Sequence, residues 1–187
     1  MREQIVTRLS IAIAFFTATG IACADGPRDN IPENVRPVPR VGIEVSTEDQ
    51  AVLKVGLKAL QAQIKTLQSR RDARTQSLLP DVEIYYRAVH DALAYREFFS
   101  PREVGKAKAL LGIGQQRANL LAEGKAPWTE ETGLVVRGYR SKLDGTAQPY
   151  GLVVPKSYTT SGKSRFRCDI WFHGRGEKLT ELSFVDQ

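Results

Sequence analysis

The sequence predicts a mixed α/β chain in which a helical unit precedes the strands, and three observations carry that prediction. Leu53, Leu57, Leu60, Ile64 and Leu67 recur at alternating spacings of four and three, the stripe of an amphipathic helix. After Ala126-Pro127-Trp128 the pattern changes to short β-branched runs broken by glycine. Near the C-terminus the apolar run Cys168-Asp169-Ile170-Trp171-Phe172 leads directly into His173-Gly174-Arg175-Gly176-Glu177, a strand followed by a glycine-rich turn.

Residues 1–24 stand apart from the fold. Arg2 and Arg8 make a basic start, residues 9–21 are apolar, and Ala22-Cys23-Ala24 is followed by the polar Asp25-Gly26-Pro27. Those are the three parts of an export signal cleaved near Ala24, which predicts a periplasmic or extracellular product. The apolar run is shorter than the ~18 residues that span a bilayer, so no permanent membrane span is expected. Cys23 could instead anchor a lipoprotein, but Gly20 stands where such signals usually carry leucine. Cleavage leaves Cys168 as the sole cysteine, which excludes an internal disulfide; at the head of an apolar strand it is expected to be a small buried hydrophobe.

Residues 25–45 hold Pro27, Pro32, Pro37 and Pro39 and read as an extended linker or surface arm. Residues 46–125 are assigned to a three-helix unit. Ser46 or Thr47 caps the first helix, with Asp49 or Gln50 completing a capping box. Its apolar stripe fits packing in a small bundle, or a coiled-coil partner. Pro80 opens the second helix, Asp81 and Glu83 suit its positive end, and Val82, Tyr85, Tyr86, Val89, Leu93 and Phe98 form its apolar face. Ser100-Pro101-Arg102-Glu103 starts the third, which should stop at Gly124.

Residues 126–187 are assigned to an incomplete α/β domain. Leu134-Val135-Val136 and the residues after Gly138 form one strand, Asp144-Gly145 turns it, and Tyr150-Gly151-Leu152-Val153-Val154 returns, closed by Pro155. Residues 157–164 form a polar loop, residues 166–172 a third strand apolar on both faces, and residues 178–187 the beginning of a helix.

A formal charge of +6 and a pI near 9.4 raise the question of a nucleic-acid partner. Acidic residues are mixed with the basic ones throughout. The densest cluster, Arg70-Arg71-Asp72-Ala73-Arg74, lacks any aromatic-basic RNA pattern or zinc-finger spacing. It reads as a solvated helix end, and no nucleic acid is expected. Gly112-Ile113-Gly114 has no strand before it and so fails as a dinucleotide fingerprint; Gly162-Lys163-Ser164 fails as a phosphate loop because Ser157 stands where glycine is required. His90 and His173 are the only histidines, and with Glu177 they do not make a metal set, so neither metal nor cofactor is expected. His90, four residues after Tyr86, reads as a packed or surface side chain. For His173 the Gly-x-Gly after it favours a loop-shaping role, its ring holding backbone amides in place.

In an oxyanion hole, glycines let backbone N–H groups turn toward a developing alkoxide. Residues 132–158, with Asp144-Gly145, Gln148-Pro149-Tyr150 and Val154-Pro155 ahead of Tyr158, resemble the opening hairpin of secreted prolyl-oligopeptidase-family α/β-hydrolases and esterases. Residues 168–177 resemble that family's next strand with its oxyanion-hole loop, and residues 81–128 are more loosely similar to an N-terminal extension of bacterial secreted members. The resemblance implies a serine hydrolase acting on a small ester or peptide, with His173, Gly174, Arg175 and Gly176 as oxyanion-loop residues. The sequence has no Gly-x-Ser-x-Gly, so the resemblance puts nucleophile, acid and base beyond Gln187, and no catalytic residue is assigned among these 187. The expectation is thus the N-terminal part of a hydrolase, inactive alone. The rival expectations are a non-catalytic exported binding protein and a non-functional gene fragment.

Overall fold

The computed structural model describes Ile31, residues 40–159, 165–172, Gly174, Gly176 and residues 178–186. The chain divides into two units, Met1–Pro37 and Val38–Gln187. The expected export signal and most of the expected proline-rich arm lie outside the described residues. The second unit contains both helices and strands.

Helix α1, Thr47–Gln68, begins where Ser46 Oγ accepts the Asp49 amide at 3.1 Å, and it buries the anticipated stripe of Leu53, Leu57, Leu60, Ile64 and Leu67. Beyond it lies a short helix the sequence did not announce, α2, Ala73–Leu78, capped by Asp72 at 2.7 Å from the Thr75 amide. The Gln76 side-chain amide donates back to the Leu67 and Arg70 carbonyls at 3.2 and 2.6 Å. The Leu67 carbonyl also accepts the Arg70 amide at 3.1 Å, so the turn that leaves α1 is tied to α2.

Helix α3, Pro80–Ala94, is central: it packs against α1, α2, both strands and the two helices that come after it. Helix α4 spans Pro101–Ala122 and ends ahead of Gly124, whose φ is +75°. Its start differs from the expected capping box. Ser100 makes no side-chain cap bond, and Glu103 Oε2 reaches past the cap to accept the amide of the preceding residue, Phe99, at 2.6 Å. Gly114 lies where three helices meet, since a Cβ there would sit 2.8 Å from both Leu60 Cδ2 and Tyr85 Cβ. Helix packing, rather than phosphate binding, explains that glycine.

A 3₁₀ turn, Pro127–Thr129, buries Trp128 and delivers the chain to β1, Gly133–Arg140. Strand β2, Ala147–Val154, pairs with it antiparallel, from Gly133↔Val154 to Arg140↔Ala147. In the connection Asp144 Oδ1 accepts the Thr146 amide at 3.1 Å, and Gly145 takes a φ of +72°. Helix α5, Glu181–Val185, carries a full capping box between Thr180 and Ser183 and buries Leu182 and Val185. Val136, Ala147, Leu182 and Val185 share one core with the helices, so the hairpin is seated on the helical unit.

The expected third strand is not formed. Residues 165–172 carry no regular structure, and the sheet of the described residues has two strands. Ile170, Trp171 and Phe172 are 77%, 89% and 88% exposed, and Cys168 is exposed instead of buried. Apolar patterning specifies a strand only where a ladder partner and a covering layer exist. Among the described residues nothing pairs with this run.

Candidate functional site

Of the expected oxyanion loop, Gly174 and Gly176 are described, while His173 and Arg175 lie outside the described residues. Both glycines are exposed, and a Cβ at either would meet nothing within 4 Å, so crowding does not account for them. The Leu179 amide reaches the Gly176 carbonyl at 3.4 Å. Downstream, the Thr180 cap fixes the start of α5 against the core. The loop therefore joins an exposed apolar run to an anchored helix.

The most elaborate polar arrangement lies elsewhere, where α3 meets β1. Asp81, in the first turn of α3, is fully buried. Its carboxylate accepts the Gly138 amide at 2.6 Å, the Trp128 indole N–H at 2.9 Å, and Arg137 Nε at 3.0 Å to each oxygen. A buried carboxylate is tolerable only when paired and fully hydrogen-bonded, and these donors meet that condition. Gly138 is required by the approach: a Cβ there would lie 2.2 Å from the Pro80 carbonyl oxygen. No β-carbon tolerates such a contact.

Arg117, projecting from α4, completes the seam. Its guanidinium donates to the Val136 carbonyl at 3.0 Å and the Asp81 carbonyl at 3.3 Å. It also lies 5.0 Å from the ring centroids of both Tyr85 and Trp128. Burial lowers the Arg117 pKa and raises that of the Tyr85 phenol. Nearer the surface, Glu83 accepts Gln68 Nε2 at 3.0 Å and pairs closely with Arg140. Asp81 and Glu83 suit the helix terminus as anticipated, but both also turn inward and bind strand arginines. Nothing in the local sequence distinguishes them from solvated first-turn acids. The available hint was that Arg137 and Arg140 fall within an otherwise apolar strand.

His90 is half-exposed on α3. Its Nδ1 lies 2.9 Å from Asp91 Oδ1, its ring stacks on Tyr86 at 5.4 Å, and Arg87 Nε holds the other oxygen of Asp91 at 3.2 Å. Among the described residues no hydroxyl or thiol is hydrogen-bonded to the imidazole. Among the described residues no group of three or more His, Cys, Asp or Glu could hold a metal ion, and no helix is long and apolar enough to cross a membrane. Comparison with protein-family models, curated proteins and solved structures found no match.

Proposed function

We propose that this chain is the N-terminal part of an exported serine hydrolase acting on ester or peptide bonds. The observation that carries the reading is the state of the segment leading into His173-Gly174-Arg175-Gly176. Ile170, Trp171 and Phe172 are three consecutive large apolar side chains, each more than three-quarters exposed. Such a run is stable in water only at a cost, and an inner strand of an α/β sheet is where it would be covered on both faces. In this proposal the run enters a sheet formed with sequence beyond Gln187. The loop after it then presents backbone amides to a developing oxyanion.

The helical unit and hairpin supply the scaffold. The Asp81–Arg137 seam fixes β1 on α3, and α5 fixes the far end of the loop. The nucleophile, acid and base belong to the completed protein. Residues 1–24 direct export and are removed near Ala24; mass spectrometry finding Met1 on the mature product would contradict that part.

The test is labelling of the native gene product with a fluorophosphonate, which modifies activated serines, and then mapping of the labelled peptide. A labelled serine outside these 187 residues is expected. Labelling within them, or hydrolysis of p-nitrophenyl acetate by the 187-residue chain alone, overturns the proposal. A second reading, a non-catalytic exported interaction protein, is favoured by the way the core closes without residues 165–172. It predicts a native product without any reactive serine.

A further inference from the structure

A groove of about 510 Å³ opens between α1, α3 and the hairpin, on the surface side of the Glu83–Arg140 pair. Ile64 and Ala147, both nearly buried, form its apolar base, and the half-buried Tyr86 lines it together with His90 stacked on its ring. Lys65 contributes an ammonium group that is in no ion pair among the described residues.

The groove's carboxylates are already engaged. Glu83 accepts from Gln68 and Arg140, one oxygen each. Asp91 accepts from Arg87 at one oxygen and meets His90 at the other. An incoming cation would therefore meet carboxylates whose charge is already paired, and would be repelled by Lys65. The uncommitted elements are one cation, an apolar base and a pair of stacked rings. Together they complement a flat apolar body bearing a single negative charge.

We propose that this groove binds a small aromatic carboxylate, its ring against Tyr86, His90, Ile64 and Ala147 and its carboxylate at Lys65. This assignment stands apart from the hydrolase reading, because every lining group belongs to the described scaffold and none to the oxyanion loop. Lys65 is exposed, so its pairing with the ligand is solvent-screened and sets preference more than affinity. For a ligand of so few atoms the dissociation constant should be about millimolar.

The experiment titrates the isotope-labelled 187-residue chain with benzoate, benzamide and benzylamine, tracking backbone amide shifts by NMR. Saturable shifts are expected around Tyr86, His90 and Ala147, with benzoate binding about fivefold tighter than benzamide and benzylamine weakest. Lys65→Met should weaken benzoate about fivefold and leave benzamide unchanged. Tyr86→Leu should weaken both by about three- to tenfold. The proposal is overturned if shifts stay linear to about 50 mM benzoate, if they centre elsewhere, if benzylamine binds as well as benzoate, or if Lys65→Met leaves benzoate binding intact. An exposed helical lysine can be replaced without unfolding the chain, which a matching circular dichroism spectrum would verify.

Discussion

Replacing Asp81 with asparagine tests the seam between α3 and β1 at its centre. The substitution keeps the shape of the side chain but removes the charge that neutralises Arg137, whose side chain is only 18% exposed. It also exchanges one acceptor oxygen for an NH₂ group. Asparagine has one oxygen to offer where the carboxylate uses two, and its amide nitrogen must face either the Trp128 indole N–H or the Gly138 amide. An orphaned buried donor costs about 1–3 kcal/mol, and breaking a buried ion pair from one side costs about 3–5 kcal/mol in total. For a unit of this size each kcal/mol moves the thermal midpoint by about 2–4 °C, so a fall of about 6–20 °C is expected. Urea denaturation monitored by circular dichroism gives the free energy. Fluorescence in a Trp171→Phe background isolates the buried Trp128 and reports whether the seam itself has loosened. Removing both charges, as in Asp81→Leu with Arg137→Met, should destabilise less than Asp81→Leu alone, because no uncompensated cation remains. A loss below about 1 kcal/mol for Asp81→Asn, or a double variant worse than the single, would refute the assignment of this ion pair as the join.

Glycine replacements should divide by what surrounds them. Gly105→Ala and Gly112→Ala, on the open face of α4 with nothing within 4 Å, should each stabilise by about 0.5–1 kcal/mol, whereas Gly138→Ala should destabilise by about 1–3 kcal/mol in the same urea assay. The Asp72 and Asp144 carboxyls are held below their ordinary 3.8 by the Thr75 and Thr146 amides, and that of Asp49 by Lys108 and then Ser46. Carboxyls depressed in the folded state stabilise it above their unfolded pKa, and that contribution disappears as pH falls through the lower folded values. The thermal midpoint should therefore decline on acidification below about pH 4, less steeply in Asp72→Asn. Brief trypsin treatment should cut after Arg165 or Arg167, in the exposed run, well before any site in the hairpin; early cleavage after Arg137 would show the hairpin to be loosely held. In a protein completed downstream, Gly174→Val should reduce turnover of p-nitrophenyl acetate about a hundred- to a thousandfold without changing the melting temperature, if the loop supplies an oxyanion donor.

Local signals were legible in the sequence wherever the chain decides its own conformation. Ser46, Pro80, Pro101 and Gly124 mark helix ends because capping and fixed φ act within one turn, and Leu53 through its heptad-like successors faces the core as the periodicity requires. Asp144-Gly145 likewise marks the hairpin. Contacts between partners distant in sequence stayed hidden. Asp81 looks like an acid suited to a helix dipole until Arg137 arrives from 56 residues away, and Arg117 looks like one more exposed cation on α4. Residues 166–172 illustrate the converse: their composition describes a buried strand, but composition cannot provide the neighbour that would bury them. The short helix α2 escaped notice because its single buried residue, Thr75, leaves no periodic trace.

The close passage of Gly138 over Pro80 also governs where β1 can lie along α3. Side chains in a strand alternate faces, so sliding β1 by one residue would bring Arg137 or Tyr139 to the place where even a methyl group would overlap the Pro80 carbonyl oxygen. Sliding by two would offer Asp81 an equivalent backbone amide but would present the side chain of Val136 or Arg140 to the Pro80 carbonyl oxygen, where only glycine fits. A displaced β1 thus meets a steric stop whichever way it slips, and after a one-residue slip it also turns its amide away from Asp81. Docking onto α3 thereby acts as a gauge that admits a single placement of β1 on the helix.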